Sequence, residues 1–265
     1  MALVLALVSC SRSSRQAADV GAGQELEGAL RPEAAVAGMR KLAGGHWHAT
    51  ATFRISPVGA DAGSPEAITT TTDLWMDKAG NFRLVESNDQ ANGREVVRVG
   101  GELALAISGG RLVRRPAQEP EATRYLKEAL GAPWAAWDTV RLYTNVERDG
   151  GGLRLSLRSA PLAGTPAATP GRRWRDSVQV QSLEGHAELH AGTRALQSFA
   201  LRARFTAKRE HMPIQGEIVV DGRLLETGAS APVAMPDAGI LPSRQRTTLD
   251  ERALLGGLGA PKGEP

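Results

Sequence analysis

The chain has 265 residues, 42% of them hydrophobic, and 32 Lys+Arg against 29 Asp+Glu, a formal net charge of +3. The charges are dispersed, which excludes the concentrated basic face that nucleic-acid binding uses, and a single cysteine excludes an intramolecular disulfide framework. With the ends set aside, about 210 residues remain for one large domain.

The first nine residues carry no charge and are too short to span a bilayer, which takes about 20 apolar residues; their length suits the apolar region of a secretory signal. The lone thiol, Cys10, closes this run, and the sequence then turns polar. Leu7-Val8-Ser9-Cys10 resembles the lipobox of bacterial lipoproteins. The resemblance implies a signal peptide over 1–9, cleavage between Ser9 and Cys10, and acylation (diacylglycerol, palmitate) of Cys10. Each buried methylene then adds roughly 0.8 kcal/mol of membrane affinity. Ser11 after the cysteine implies a periplasm-facing outer-membrane protein. One departure is that no Lys or Arg precedes Cys10.

Residues 10–31, rich in Ser, Ala, Gly and Gln, read as a flexible lipidated tether. The domain is then expected over 32–241. Pro32 suits the first turn of a helix, Ala34, Ala35, Val36, Met39 and Leu42 form its apolar stripe, and Gly44-Gly45 ends it. Strands follow. Trp47, Ala49, Ala51, Phe53 and Ile55 alternate with His46, His48, Thr50, Thr52 and Arg54. Ala79-Gly80 reads as a hairpin turn between "EAITTTTDLWMD" and "NFRLVESND", and glycine pairs separate further short strands up to "GRLVRRP".

One helical block interrupts this pattern, predicted as two helices over 119–130 and 133–143. Gly131 suits the end of the first and Pro133 the start of the second. After it, Leu153, Leu155 and Leu157 alternate with Arg154, Ser156 and Arg158, and Phe199, Leu201, Ala203, Phe205 and Ala207 with Arg202, Arg204, Thr206 and Lys208. "PLAGTPAATPGRR" (161–173) reads as a long loop, and residues 242–265 as a tail with one short helix.

The histidines give no catalytic or metal motif. On a strand, His186 and His190 stand about 13 Å apart, too far for one zinc, whose His ligands lie about 2.1 Å from it. His46 and His48 share a face, but no third ligand is visible in the sequence. No nucleophile elbow or phosphate-cradling loop occurs. No cofactor, metal site or enzyme activity is expected.

The order of helix, about six strands, two helices and about five strands is that of an α+β chain with helices grouped on one face of an antiparallel sheet. In "MDKAGNFRLVES", "VVRVGGELALAIS" and the long strands up to "GRLLETGAS", the layout resembles the periplasmic lipoprotein-carrier and lipid-carrier superfamily, over roughly residues 33–240. The resemblance implies a half-open β-barrel whose concave side is covered by short helices above an apolar cavity. Lining candidates are Phe53, Trp75, Phe82, Tyr125, Leu130, Trp134 and Trp137. The function it implies is an envelope-anchored lipoprotein that binds or carries lipid, acyl chains or lipoproteins. Two other readings stand beside it: an accessory lipoprotein of an envelope protein complex with no ligand, and, lowest, a hydrolase.

Overall fold

A computed structural model describes residues 21–58, 64–163, 175, 177–209, 212–228 and 232–240. The signal, Cys10, the first part of the tether, residues 164–173 of the long loop and the tail 242–265 lie outside the described residues.

The chain folds as α1 (21–30), α2 (Pro32–Lys41), β1 (Gly45–Pro57), β2 (Glu66–Met76), β3 (Phe82–Asn88), β4 (Gly93–Val99), β5 (Glu102–Ile107), β6 (Val113–Pro116), α3 (Glu119–Ala129), α4 (Gly131–Val140), a 3-10 turn (Arg141–Tyr143), β7 (Thr144–Asp149), β8 (Gly152–Leu157), β9 (Gln179–Leu189), β10 (Leu196–Arg209), β11 (Met212–Thr227) and β12 (Gly239–Ile240). The strands form one open sheet in the order β12-β6-β5-β4-β3-β2-β1-β11-β10-β9-β8-β7. All neighbours are antiparallel except the short β12–β6 pair. This is the expected α+β architecture, with a curved sheet and short helices on its concave side.

The topology itself requires the curvature. Two meanders, β1–β6 and β7–β11, join through β1 and β11 at the centre, so the chain leaves one edge at β6 and re-enters at the other with β7. Only α3, α4 and the 3-10 turn connect them. Arg98 and Arg94 of β4 bond Glu119 and Glu128 of α3. Four strand residues and nine helical ones both span about 13 Å, so α3 runs along β4. The remaining crossing to β7 falls to α4 and the 3-10 turn, about 21 Å long. Along the sheet the same journey is about 38 Å. An arc of that length subtends so short a chord only when it bends through about a half-circle.

The concave face carries the core. Trp47, Phe82, Phe199, Leu74, Leu84, Leu155 and Leu201 are fully buried there. Two strand glycines make room for rings: a Cβ at Gly222 would stand 2.6 Å from Trp47 Cζ2, and one at Gly216 would collide with the Phe205 ring. α3 packs on β2 and β3, α4 on β10 and β11, and α2 on α3.

Three expectations are corrected. The tether does not extend to Arg31: 21–30 is helical, with Ala22, Leu26 and Leu30 at most 1% exposed. Their spacing of four places them on one helix face, and Glu25 bonds Arg148 and Arg194. The second helix of the block begins at Gly131 rather than Pro133, because the break falls on Leu130, which caps both helices with φ −93 and ψ 5. Leu157, expected on the buried face, is exposed because β8 pairs with β9 only from Leu153 to Ser156.

The β2–β3 turn has a buried anchor in Asp77. It accepts bonds from the Ala79 and Asn81 amides, the Asn81 side chain and the Val233 amide. The Val233 bond and the β12–β6 pairing carry the segment 232–240 between the β2–β3 turn and the β6 edge. Burial disfavours the Asp77 carboxylate, but these donors, Asn81 foremost, hold it below the usual range. A depressed folded value stabilises the protein above the ordinary Asp range, near 3.9, and that stabilisation is lost as pH falls through the folded value.

Two outcomes follow. Leu26→Ala is expected to cost about 2–5 kcal/mol in denaturant unfolding, and Arg202→Ala, on the wet face, within about 0.5 kcal/mol; equal costs would contradict the packing of α1. Asp77→Asn should cost about 1–3 kcal/mol at neutral pH and flatten the loss of stability below about pH 4; an acid-unfolding profile identical to wild type would contradict the role of the carboxylate.

Candidate ligand site beneath the helical crossover

The half-circle and its crossing helices define the site. Its wall is apolar and its fastenings are ionic. On the concave side of β4, Arg98 bonds Glu119 at 2.7 Å and Arg94 bonds Glu128 at 2.5 Å and Glu86 at 3.3 Å. From β6, Arg115 grips Glu121 with both terminal nitrogens, at 2.5 and 2.8 Å. Arg94 and Arg124 lie 5.5 and 5.3 Å from the Tyr125 ring. Burial first, then the Glu121 charge, pushes the Tyr125 phenol up. Lys127 ties α3 to Glu33 of α2 at 2.9 Å. These side chains fix α3 along β4, while α4 is almost wholly uncharged and lies across the strands.

Of the seven lining candidates, Phe82, Tyr125, Leu130 and Trp137 are buried in the shared core, and Phe53 and Trp134 are half-buried against it. Arg31 stands 5.8 Å from the Trp134 ring. Trp75 does not join them. Alternation along β2 points Leu74 and Met76 inward and Trp75 to the opposite face, where it stacks on His46 at 4.5 Å with Arg83 on the ring at 5.6 Å.

That opposite face supplies the group the histidines lacked. Asp73 Oδ1 bonds His46 Nε2 at 2.8 Å and His48 Nδ1 at 3.0 Å. Burial opposes its ionisation, yet the bonds from His48 and His46 hold the carboxyl below the usual range. One ring nitrogen of each histidine is occupied by this one oxygen, and no group of three side chains able to hold a metal occurs among the described residues. His186 is exposed, and His190 bonds Thr193.

Among the described residues the concave side is filled by side chains, and open grooves lie on the other face. One, about 580 Å³, runs over Arg154, His186, Ala200, Arg202 and Asp221. The apolar side chains left exposed, however, are not scattered. Val58, Ile68, Ile107, Leu157, Leu162 and Met212 are 39–58% exposed. All belong to the end of the sheet where β1, β5 and β8 finish and β2 and β11 begin; Leu225 is the exception. Ile68 lies opposite Phe53, Ile107 opposite Arg94 and Leu157 opposite the buried Thr144, so these three face the helix-covered side. They form an apolar rim at this mouth of the half-barrel. Sequence reasoning missed it because each sits in a strand pattern that reads as core; only the strand ends reveal exposure.

No protein-family model and no curated protein matches the chain. Among solved structures it is similar to a DUF1329 family protein from Desulfovibrio piger, at 9% identity over 77% of this chain and 95% of that one, with a TM-score of 0.23. A second likeness is to the ywiB protein from Bacillus subtilis, at 10% identity over 69% and 97% of the two chains, with a TM-score of 0.16. Scores this low carry no argument; the description of the fold rests on the strand order.

Trp137→Ala is expected to cost about 3–5 kcal/mol of stability and Trp134→Ala clearly less, because only the first is fully packed. Comparable costs in thermal or denaturant unfolding would contradict the placement of α4.

Proposed function

We propose that the protein is a lipid-anchored half-barrel of the bacterial envelope that takes an apolar chain beneath the α3–α4 crossover. The observation that carries this reading is the apolar rim of Ile68, Ile107 and Leu157, gathered at one mouth on the helix-covered side. Exposed apolar patches of this kind mark binding sites in soluble domains. Two further features support it. Among the described residues, the indole N–H groups of Trp47 and Trp137 are buried with no acceptor, each at a cost of about 1–3 kcal/mol; a guest bearing oxygen atoms would relieve that. The fastenings of α3 to β4 end on exposed glutamates, and exposed ion pairs contribute only about 0–1 kcal/mol each. On its β4 side the helical cover is therefore lightly fastened, while Arg115 of β6 holds Glu121 of α3 in a part-buried pair.

The likeness of the layout to lipoprotein and lipid carriers agrees with this reading, and the lipobox-like Leu7-Val8-Ser9-Cys10 supplies the anchor and the periplasm-facing outer-membrane location. The fully packed concave face favours a second reading, an accessory envelope lipoprotein without a ligand.

The anchor is tested by fractionation. Cys10→Ala should appear in the soluble periplasmic fraction or remain unprocessed; a cleaved variant that still sediments with membranes would contradict acylation. The cavity is tested with a fluorescent fatty acid, which should bind the unacylated chain and quench its Trp emission, and Trp134→Ala should weaken binding more than tenfold, about 1.4 kcal/mol. Absence of binding by any acyl probe would leave the accessory reading.

A further inference from the structure

Resting on that reading, we propose that Arg94 and Arg124 form an anion site under the helical cover, that the Glu128 carboxylate occupies it as an internal counterion, and that the guest is a chain amphiphile whose anionic head takes the place of that carboxylate. Arg94 belongs to β4 and Arg124 to α3, and their side chains meet at one group. Arg94 Nη1 lies 2.5 Å from Glu128 Oε2, and Arg124 Nε lies 3.7 Å from Glu128 Oε1. The two guanidinium groups also lie 5.5 and 5.3 Å from the Tyr125 ring. That ring is buried, so one fixed aromatic side chain steadies both cations. The clamp stands on the helix-covered side. Arg94 lies opposite Glu86 of β3 and Ile107 of β5, and Ile107 belongs to the exposed apolar rim. Two residues along β4, the row of Leu84, Val96 and Leu105 continues this face as apolar wall. Glu128 itself sits in the last turn of α3, just before the break at Leu130 from which α4 departs.

Exposure decides which partner exchanges. The Arg94 side chain is 22% exposed and that of Glu128 is 41% exposed. Arg94 is thus part of the wall, held also by Glu86 at 3.3 Å. Taking a carboxylate from a part-buried arginine is costly, whereas Glu128 turned outward is hydrated at the surface, where an ion pair contributes little. Glu128 therefore leaves readily only when another anion replaces it. A carboxylate or phosphate head does so, because charge-assisted bonds to guanidinium are the strong ones. The head can also accept the Arg94 Nε–H, which among the described residues is buried without an acceptor. Its chain then starts beside Ile107 and runs along Leu84, Val96 and Leu105 beneath the cover. A neutral head makes no such exchange. The site thereby selects by charge, and Glu128 sets the affinity that an incoming head must exceed.

The test uses the full chain carrying Cys10→Ala and the neutral fluorescent probe N-phenyl-1-naphthylamine, displaced at neutral pH by dodecanoate or by dodecanol. Glu128→Gln removes the internal counterion. It is expected to lower the dodecanoate concentration that displaces half of the probe about tenfold and to leave displacement by dodecanol unchanged. Adding Arg94→Gln should abolish that gain. Adding Arg124→Gln instead, at an exposed position, should reduce the gain without lowering the melting temperature, which keeps the test open if the Arg94 variant does not fold. An unchanged dodecanoate value in Glu128→Gln, or an equal shift for both ligands, overturns the anion site and leaves the apolar-chain reading standing. Failure of the probe and both ligands to bind overturns the two together.

Discussion

The chain leaves its sheet at one edge and must re-enter at the other, and only α3, α4 and a single 3-10 turn are there to make the crossing. Almost everything else depends on that constraint. A flat sheet of this width cannot be crossed by so short a connection, so the sheet bends until its edges approach. Bending turns one face into a trough, and the crossing helices become its cover. The cover is thus not an appendage but the link between two meanders whose one strand pairing with each other, among the described residues, is that of β1 with β11.

The two halves of the cover are fastened differently. α3 is held by arginines that rise from the concave face of β4 and β6 to meet its glutamates. α4 offers apolar contact to β10 and β11, with Asp138 paired to Arg175 and Arg141. Ion pairs near water release at little cost, whereas apolar contact is replaced without loss by another apolar surface, such as an alkyl chain. The one-residue break at Leu130 joins the two behaviours. On the proposed reading, a chain that displaces α4 from the sheet need not unfold α3.

Strand identity and facing were legible in the sequence because alternation is local: the inward Phe199, Leu201 and Phe205 and the outward Arg202 and Arg204 follow from period two alone. α1 was not legible, because Gly and Gln between Ala22, Leu26 and Leu30 imitate a linker and only tertiary packing makes those three residues core. Trp75 was misplaced for the opposite reason: size suggested the interior, while the strand period directs it outward onto His46. Asp73, 25 residues from His48, joined the histidines only through the β1–β2 register. The rim was invisible because Ile68, Ile107 and Leu157 look like any core residue until the strand ends are known.

The central claim, that the half-barrel takes an apolar chain under its helical crossover, is tested most directly by native mass spectrometry of the protein extracted from its own membrane. A species heavier than the acylated chain by the mass of one amphiphile is expected, lost on gentle activation while the anchor stays attached. A spectrum containing only the acylated chain, under conditions that preserve lipid complexes of comparable proteins, would contradict it.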